Sequence, residues 1–315
     1  VVLGAVGSAV AIVQFALKTD PTQYVRIPGL VRNADASDVQ TRGNTGYARV
    51  RGFARHPIEF GVVLATLLPV ALYLERLDRS RLMRIAVILI IAGIPLSISR
   101  SAFIALVVGM LIYALGLGWR ERGNLLVLAV VSAVAFQLFT PGLLGTVRSL
   151  FTNVGNDNSI TGRTDDYDVV FGYVAERPWL GRGPGTFIPD RYRVLDNEYL
   201  GTLVEGGWVG VAALGLLFVV PPMVAWWLVS HGSTDEVRRF ALALAATVAI
   251  AIPSSATFDS MAFPIYSGLL FLFIGCIGCL LRLDHQGAVP GSSVPAPEDW
   301  TRDQPSSQTE TRTET

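Results

Sequence analysis

Long apolar runs constrain this chain more than any other feature. Stretches near 58–74, 85–98, 102–118, 124–139, 199–229, 240–257 and 262–281 carry very few charges. Crossing a bilayer takes roughly 20 apolar residues of helix. Inside the hydrocarbon every backbone N–H and C=O needs a partner, which a helix supplies within its own segment. The runs are continuous rather than alternating, so a β-barrel is set aside. Residues 1–17 form a further apolar run, with Gly4, Gly7 and Ser8 suited to close helix contact. The expected fold is all-α, a polytopic helical membrane protein with about eight spans. The chain opens Val1-Val2-Leu3, without Met or a basic leader, and we expect it to start within a longer protein.

The polar segments divide the chain further. Residues 1–282 read as one membrane-embedded domain with a large loop at 140–198. Residues 283–315 are rich in Pro, Ser, Thr and Gln with no apolar period, the composition of a disordered tail. The short loops 75–84, 119–123 and 231–239 hold four, two and two arginines. By parity they share one side with the tail, and short basic loops mark the cytoplasmic side. The loops 18–57 and 140–198 and the small turn at Asp259 then face outward.

Composition removes several function classes. Net charge is zero, which gives no pointer to nucleic acid. Of 25 basic residues all but Lys18 are arginine, the better fork for phosphate. Cys276 and Cys279 sit inside an apolar run and read as small packing residues. No His/Cys/Asp cluster has metal-ligand spacing. Gly181-Arg182-Gly183-Pro184-Gly185 lacks the Lys-Ser/Thr of a nucleotide loop and follows no strand. We expect neither a bound metal nor a cofactor.

The polar stretch 159–210 is the centre of the chain's organisation. A long loop in a compact domain is functional or disordered, and this one carries local structure. Thr161 and Thr164 are candidate caps, and Asp165 and Asp166 suit a first helical turn. Tyr167, Val170, Phe171 and Val174 recur at helical spacing. Arg177-Pro178 ends the pattern, because proline disfavours helical backbone in the residue before it. The stretch reads as a short amphipathic helix on the membrane surface, a glycine-rich bend, and a return into the bilayer at Asp196-Asn197.

Chemistry-bearing residues gather on the predicted outer face. Arg100 lies between two apolar runs with almost no loop, a costly place for a charge and a mark of function. Arg163, Arg177, Arg182, Arg191 and Arg193 lie in the loop; guanidinium groups in such number suit a diphosphate through bidentate hydrogen bonds. Asp196 stands where the chain returns to the membrane and could accept a proton from a hydroxyl, or cap the helix. Glu205, nine residues on, is about 13 Å deeper along a helix. Arg55, His56 and Glu59 open the run at 58–74, with Pro57 placed for a first turn.

Four stretches, in order, resemble a known family. They are Arg51-Gly52-Phe53…His56-Pro57…Phe60-Gly61; Leu96-Ser97-Ile98-Ser99-Arg100-Ser101-Ala102; Gly162-Arg163 with Pro178-Trp179-Leu180-Gly181-Arg182-Gly183-Pro184-Gly185…Phe187; and Asp196-Asn197-Glu198-Tyr199-Leu200 with Gly207 and Gly210. The family is the O-antigen ligase/polymerase type of membrane glycosyltransferase, and the resemblance covers about its C-terminal two-thirds. It implies a GT-C-like helical fold in the cytoplasmic (inner) membrane, with the active site on the external face. It implies a donor glycan on undecaprenyl diphosphate and a glycan or lipid-linked acceptor, with membrane lipids around the site and no nucleotide sugar. Arg100 and Arg163 would hold the leaving diphosphate. Asp196 stands where ligases carry a catalytic histidine. Arg55, His56, Arg182, Asn197, Tyr199 and Glu205 are then substrate-binding candidates. Polymerisation and ligation both stay open. The competing class is a transporter or channel with Glu59, Arg100 and Glu205 as pathway charges; no matching halves of the kind transporters carry are evident.

Overall fold

The computed structural model describes residues 1–24, 48–139, 145, 158–188 and 191–287, without the side chains of 23, 24, 139 and 158–165. The expected disordered tail lies outside them from residue 288 on. Ten α-helices are seen among the described residues: α1 (Val2–Leu17), α2 (Pro57–Asp78), α3 (Arg81–Leu96), α4 (Arg100–Leu115), α5 (Trp119–Phe139), α6 (Asn158–Glu176), α7 (Glu198–His231), α8 (Asp235–Ala249), α9 (Ala251–Ser255) and α10 (Pro264–His285). No strand occurs among them. The all-α expectation holds.

Helix boundaries follow side-chain chemistry. Ser80, Ser99 and Thr234 each accept the N–H three residues on, from Met83, Ala102 and Val237, and so start α3, α4 and α8. Pro57 occupies the first turn of α2, where its missing N–H costs nothing. Five stretches are long and apolar enough to cross a membrane: Pro57–Asp78, Trp119–Leu138, Glu198–His231, Asp235–Ser255 and Pro264–His285. The chain is a multi-pass membrane protein. Helices α1, α3 and α4 have 16 residues each. At 1.5 Å per residue they are about 24 Å long, short of a hydrocarbon core of about 30 Å. The count of about eight spans is therefore met by length in five.

Helix α2 is the hub, with α1, α3, α4, α8 and α10 packed around it. Small residues set the crossings, since apolar lipid gives helices no hydrophobic drive to associate and close backbone approach must supply it. A methyl group on Gly61 would meet Ser97 Oγ at 2.4 Å and Ala102 Cβ at 2.6 Å. Gly93 lies as close to Ser8, Gly109 to Ile250 and Gly116 to Leu242. The expected close contact of the first helix is realised at Gly4, against Leu67, and at Ser8. By contrast α5 buries no part of its apolar length and presents Leu126, Val130 and Val134 outward. An apolar surface of this kind suits lipid or a further helix.

The bundle has two polar ends. At one, Glu121 accepts Arg76 at 3.1 Å and Arg239 at 2.8 Å, and Asp284 accepts the Ser233 N–H at 3.1 Å. The three short arginine loops thus meet, as parity requires. At the other end lie the first turns of α2, α4, α7 and α10.

Candidate functional site

The site end is built on backbone clasps. Gln14, buried in the last turn of α1, accepts the N–H groups of Arg51 (3.2 Å) and Gly52 (2.9 Å). Asp20 pairs with Arg51 at 2.8 Å. Burial pushes the Asp20 carboxyl up, but hydrogen bonds from Arg51, Thr22 and Gln14 outweigh it and hold it well below the usual carboxylate range. These bonds fix the approach to His56. The Nδ1 of His56 accepts the Ile58 N–H at 3.2 Å and caps α2. Burial first, then the charge of Arg49, pulls His56 down to about 4, with Asp196 acting the other way. His56 is therefore neutral at pH 7. With Nδ1 used as an acceptor, its proton sits on Nε2, so the ring offers a donor and no free lone pair.

Glu59 is fully buried and takes two backbone amides, Arg55 N–H at 2.9 Å and Ile265 N–H at 3.1 Å. The second bond crosses from α2 to the first turn of α10, where a carboxylate suits the helix dipole. On α7 the cap is Asn197, whose Oδ1 accepts Tyr199 N–H (3.0 Å) and Leu200 N–H (3.3 Å). Of the two roles open to Asp196, capping is thus filled by its neighbour. Glu198 accepts the Met261 N–H at 2.9 Å, and the Tyr199 hydroxyl donates to the Ile252 carbonyl at 2.9 Å. These two bonds draw the 256–263 turn against the start of α7. Asp259 is thereby held near Asp196. Burial first, with the charges of Asp196 and Glu198 adding to it and a bond within its own backbone opposing, raises Asp259 to about 6.

Asp259 and Arg49 are the residues that sequence reasoning passed over. The available signal was a carboxylate in a turn barely long enough to join two apolar runs, and an arginine just ahead of the Arg51-Gly52-Phe53 motif. Arg100 opens α4 at the same end. It follows Ile98, a fully buried β-branched residue held at φ 45. That left-handed backbone is a genuine outlier for isoleucine, and strain of this kind gathers at functional sites. The 48–50 segment lies against this turn through the Val50 N–H and the Leu96 carbonyl, 3.5 Å apart. Arg55 is exposed beside His56. Arg163 lies in the first turns of α6, and its side chain is outside the described residues.

The loop docks on a broken helix. At Gly207, φ 62 and ψ −162 interrupt α7. The break would leave backbone groups unsatisfied, and the 178–183 segment takes them up. Arg182 N–H donates to Val204 O (2.9 Å) and Gly183 N–H to Glu205 O (2.8 Å). Trp208 N–H donates to Pro178 O (2.9 Å) and Val209 N–H to Trp179 O (3.2 Å). The Glu205 carboxylate accepts Gly185 N–H (2.9 Å) and Phe187 N–H (3.1 Å). It anchors the loop rather than pointing into the bundle. Helix α6 ends at Glu176, before Arg177-Pro178 as read, but begins at Asn158 rather than at Thr161 or Thr164. Val170 and Val174 pack with Phe187, Leu195, Leu203 and Val204, while Tyr167 and Phe171 face out. Arg182 pairs with Glu176 at 2.6 Å and Arg193 with Asp166 at 3.0 Å. Both loop cations are thus paired within the loop.

The structure thus brings His56, Asp196 and Asp259 together, with Arg49 and Arg51 beside them and the Arg100 turn at the same end. Arg182 and Glu205 belong to the loop dock instead, and Asn197 and Tyr199 hold α7 in place. No curated protein matches the chain. Residues 85–215 match the family model described as O-antigen ligase, so the O-antigen ligase/polymerase-type resemblance read from the sequence is borne out over the segment that runs from α3 through the loop and past the break in α7.

Proposed function

We propose that the chain transfers or polymerises an undecaprenyl-diphosphate-linked glycan onto a glycan or lipid-linked acceptor at the outer face of the cytoplasmic membrane. The observation that carries this is the meeting of a neutral histidine, two carboxylates and several arginines at one end of the bundle. The acceptor hydroxyl attacks the anomeric carbon as the carbon–oxygen bond to the diphosphate breaks. The hydroxyl proton passes to Asp196, and Arg100 and Arg163 take up the charge that grows on the leaving diphosphate. His56 Nε2–H donates to an acceptor oxygen or to Asp196 and orders the pair. The pathway-charge alternative loses support, because Glu59 and Glu205 each have both oxygens on backbone amides.

Two measurements test the reading. Arg100→Ala and Arg163→Ala each abolish transfer at normal membrane levels of protein. Lysine in either place rescues poorly, because it supplies charge without the planar fork. Normal transfer in both alanine variants overturns the assignment. For sidedness, single cysteines replace Thr186 and Gln286 in a Cys276→Ser/Cys279→Ser background. An impermeant thiol reagent applied to intact cells labels position 186 and not 286; the reverse pattern inverts the topology.

A further inference from the structure

The loop carries an aromatic cleft that the reaction chemistry does not use. Its walls are Val169, Tyr173, Phe187, Tyr192 and Arg193, around a space of about 210 Å³. Drug-sized ligands need about 300–1,000 Å³, so this space suits one ring-sized group. Phe187 is buried and lies under Tyr192, centroids 4.8 Å apart and planes 16° from parallel. Tyr173 meets Tyr192 edge-on at 5.8 Å. Tyr173 is itself held by Arg182, whose guanidinium sits 4.3 Å over the ring. Tyr192 is thus a rigid ring with one face packed on protein, and it is 43% exposed.

A flat apolar face with a hydrogen-bonding rim suits the C–H face of a pyranose. The rim is Arg193, a donor fork held by its pair with the buried Asp166, which suits the lone pairs of sugar hydroxyls. A phosphate would need net positive charge here, and Asp166 cancels that of Arg193. Only three residues separate Tyr192 from Asp196, so the cleft is within about 14 Å of it along an extended chain. That is the reach of a few sugar units. We propose that this cleft is a subsite for one sugar ring of a glycan chain, remote from the reacting carbon, which sets how long chains are held. This rests on the glycan-transfer reading above.

The test uses the full chain reconstituted in lipid vesicles. The probe is carrier-linked glycan extracted from cells that retain the transferase, separated into single-unit and long fractions, each offered as donor and as acceptor. Tyr192→Ala raises KM for long chains about tenfold or more, as loss of an anchoring aromatic does. It leaves KM for single-unit pairs and kcat in place, and Tyr192→Phe retains normal KM. A rise confined to long donors places the donor chain in the cleft; a rise confined to long acceptors places the acceptor chain there. An unchanged KM for every pairing, or an equal rise for single units, overturns the subsite. The unaltered chain is run alongside: if it transfers neither fraction, the transfer reading fails. If it transfers both while Tyr192→Ala is indifferent to chain length, the subsite alone fails.

Discussion

Asp196→Asn lowers glycan transfer by roughly 10²–10⁴-fold, the usual contribution of acid–base catalysis, while the protein reaches the membrane at its normal level. The substitution keeps shape and removes only the capacity to take a proton. It does not disturb the helix start, because Asn197 and not Asp196 caps α7. His56 spends its Nδ1 lone pair on Ile58, and Glu205 spends both oxygens on the loop. Asp259 remains as the partner, with its carboxyl raised to about 6. Above that pH its negative charge favours the positive charge that develops at the anomeric carbon, and below it the charge is gone. Transfer rate therefore rises with pH through about 6. Asp259→Asn removes this limb and lowers the plateau. His56 adds no limb between pH 5 and 8, since burial and Arg49 hold it at about 4. Folding stability runs the other way for Asp259: the folded chain keeps that proton between the ordinary value of 3.8 and about 6. Its contribution to stability thus falls as pH rises through that window. Full activity in Asp196→Asn, or a limb near pH 6 that survives in Asp259→Asn, removes these roles.

Gly207→Ala undocks the loop and abolishes transfer, whereas Gly206→Ala, one residue away, is close to normal. A Cβ at 207 would fall 2.4 Å from the carbonyl carbon and oxygen of Trp179 and 2.6 Å from the Pro178 oxygen. These are backbone atoms and cannot swing aside. The φ/ψ of 62 and −162 belongs to a region open almost only to glycine. Strain of about 1–3 kcal/mol adds to loss of the four cross-loop backbone bonds, at about 1 kcal/mol each. Gly206 meets nothing nearer than Thr202 Cγ2 at 4.0 Å. Limited proteolysis across 178–187, read beside transfer activity, checks the pair. Equal resistance and equal activity in the two variants would mean that the dock is dispensable. The same logic explains Gly181, at φ 64, whose Cβ would lie 2.4 Å from the Glu205 carbonyl carbon. Two glycines from distant motifs exist to let two backbones touch.

Much of the architecture is legible in the residues alone. Hydropathy locates the helices, Ser80, Ser99 and Thr234 start three of them, and Arg177-Pro178 stops α6. The parity of short arginine loops groups the ends, and the Arg76–Glu121–Arg239 contact realises that grouping. These features depend on energies within a few residues: transfer to lipid, a cap bond, a proline clash. The tertiary structure decided the rest. It interrupted α7 at Gly207 and gave the exposed backbone to the 178–183 segment. It set Glu59 on α10 and Glu205 on the loop, and paired Arg182 and Arg193 with Glu176 and Asp166. It placed Asp259 near Asp196, 63 positions away in sequence. A carboxylate's local sequence is the same whether it meets an amide, a guanidinium or another carboxylate. Only the packing of distant helices brings one of these partners within hydrogen-bonding reach, and that choice separates an anchor from a base.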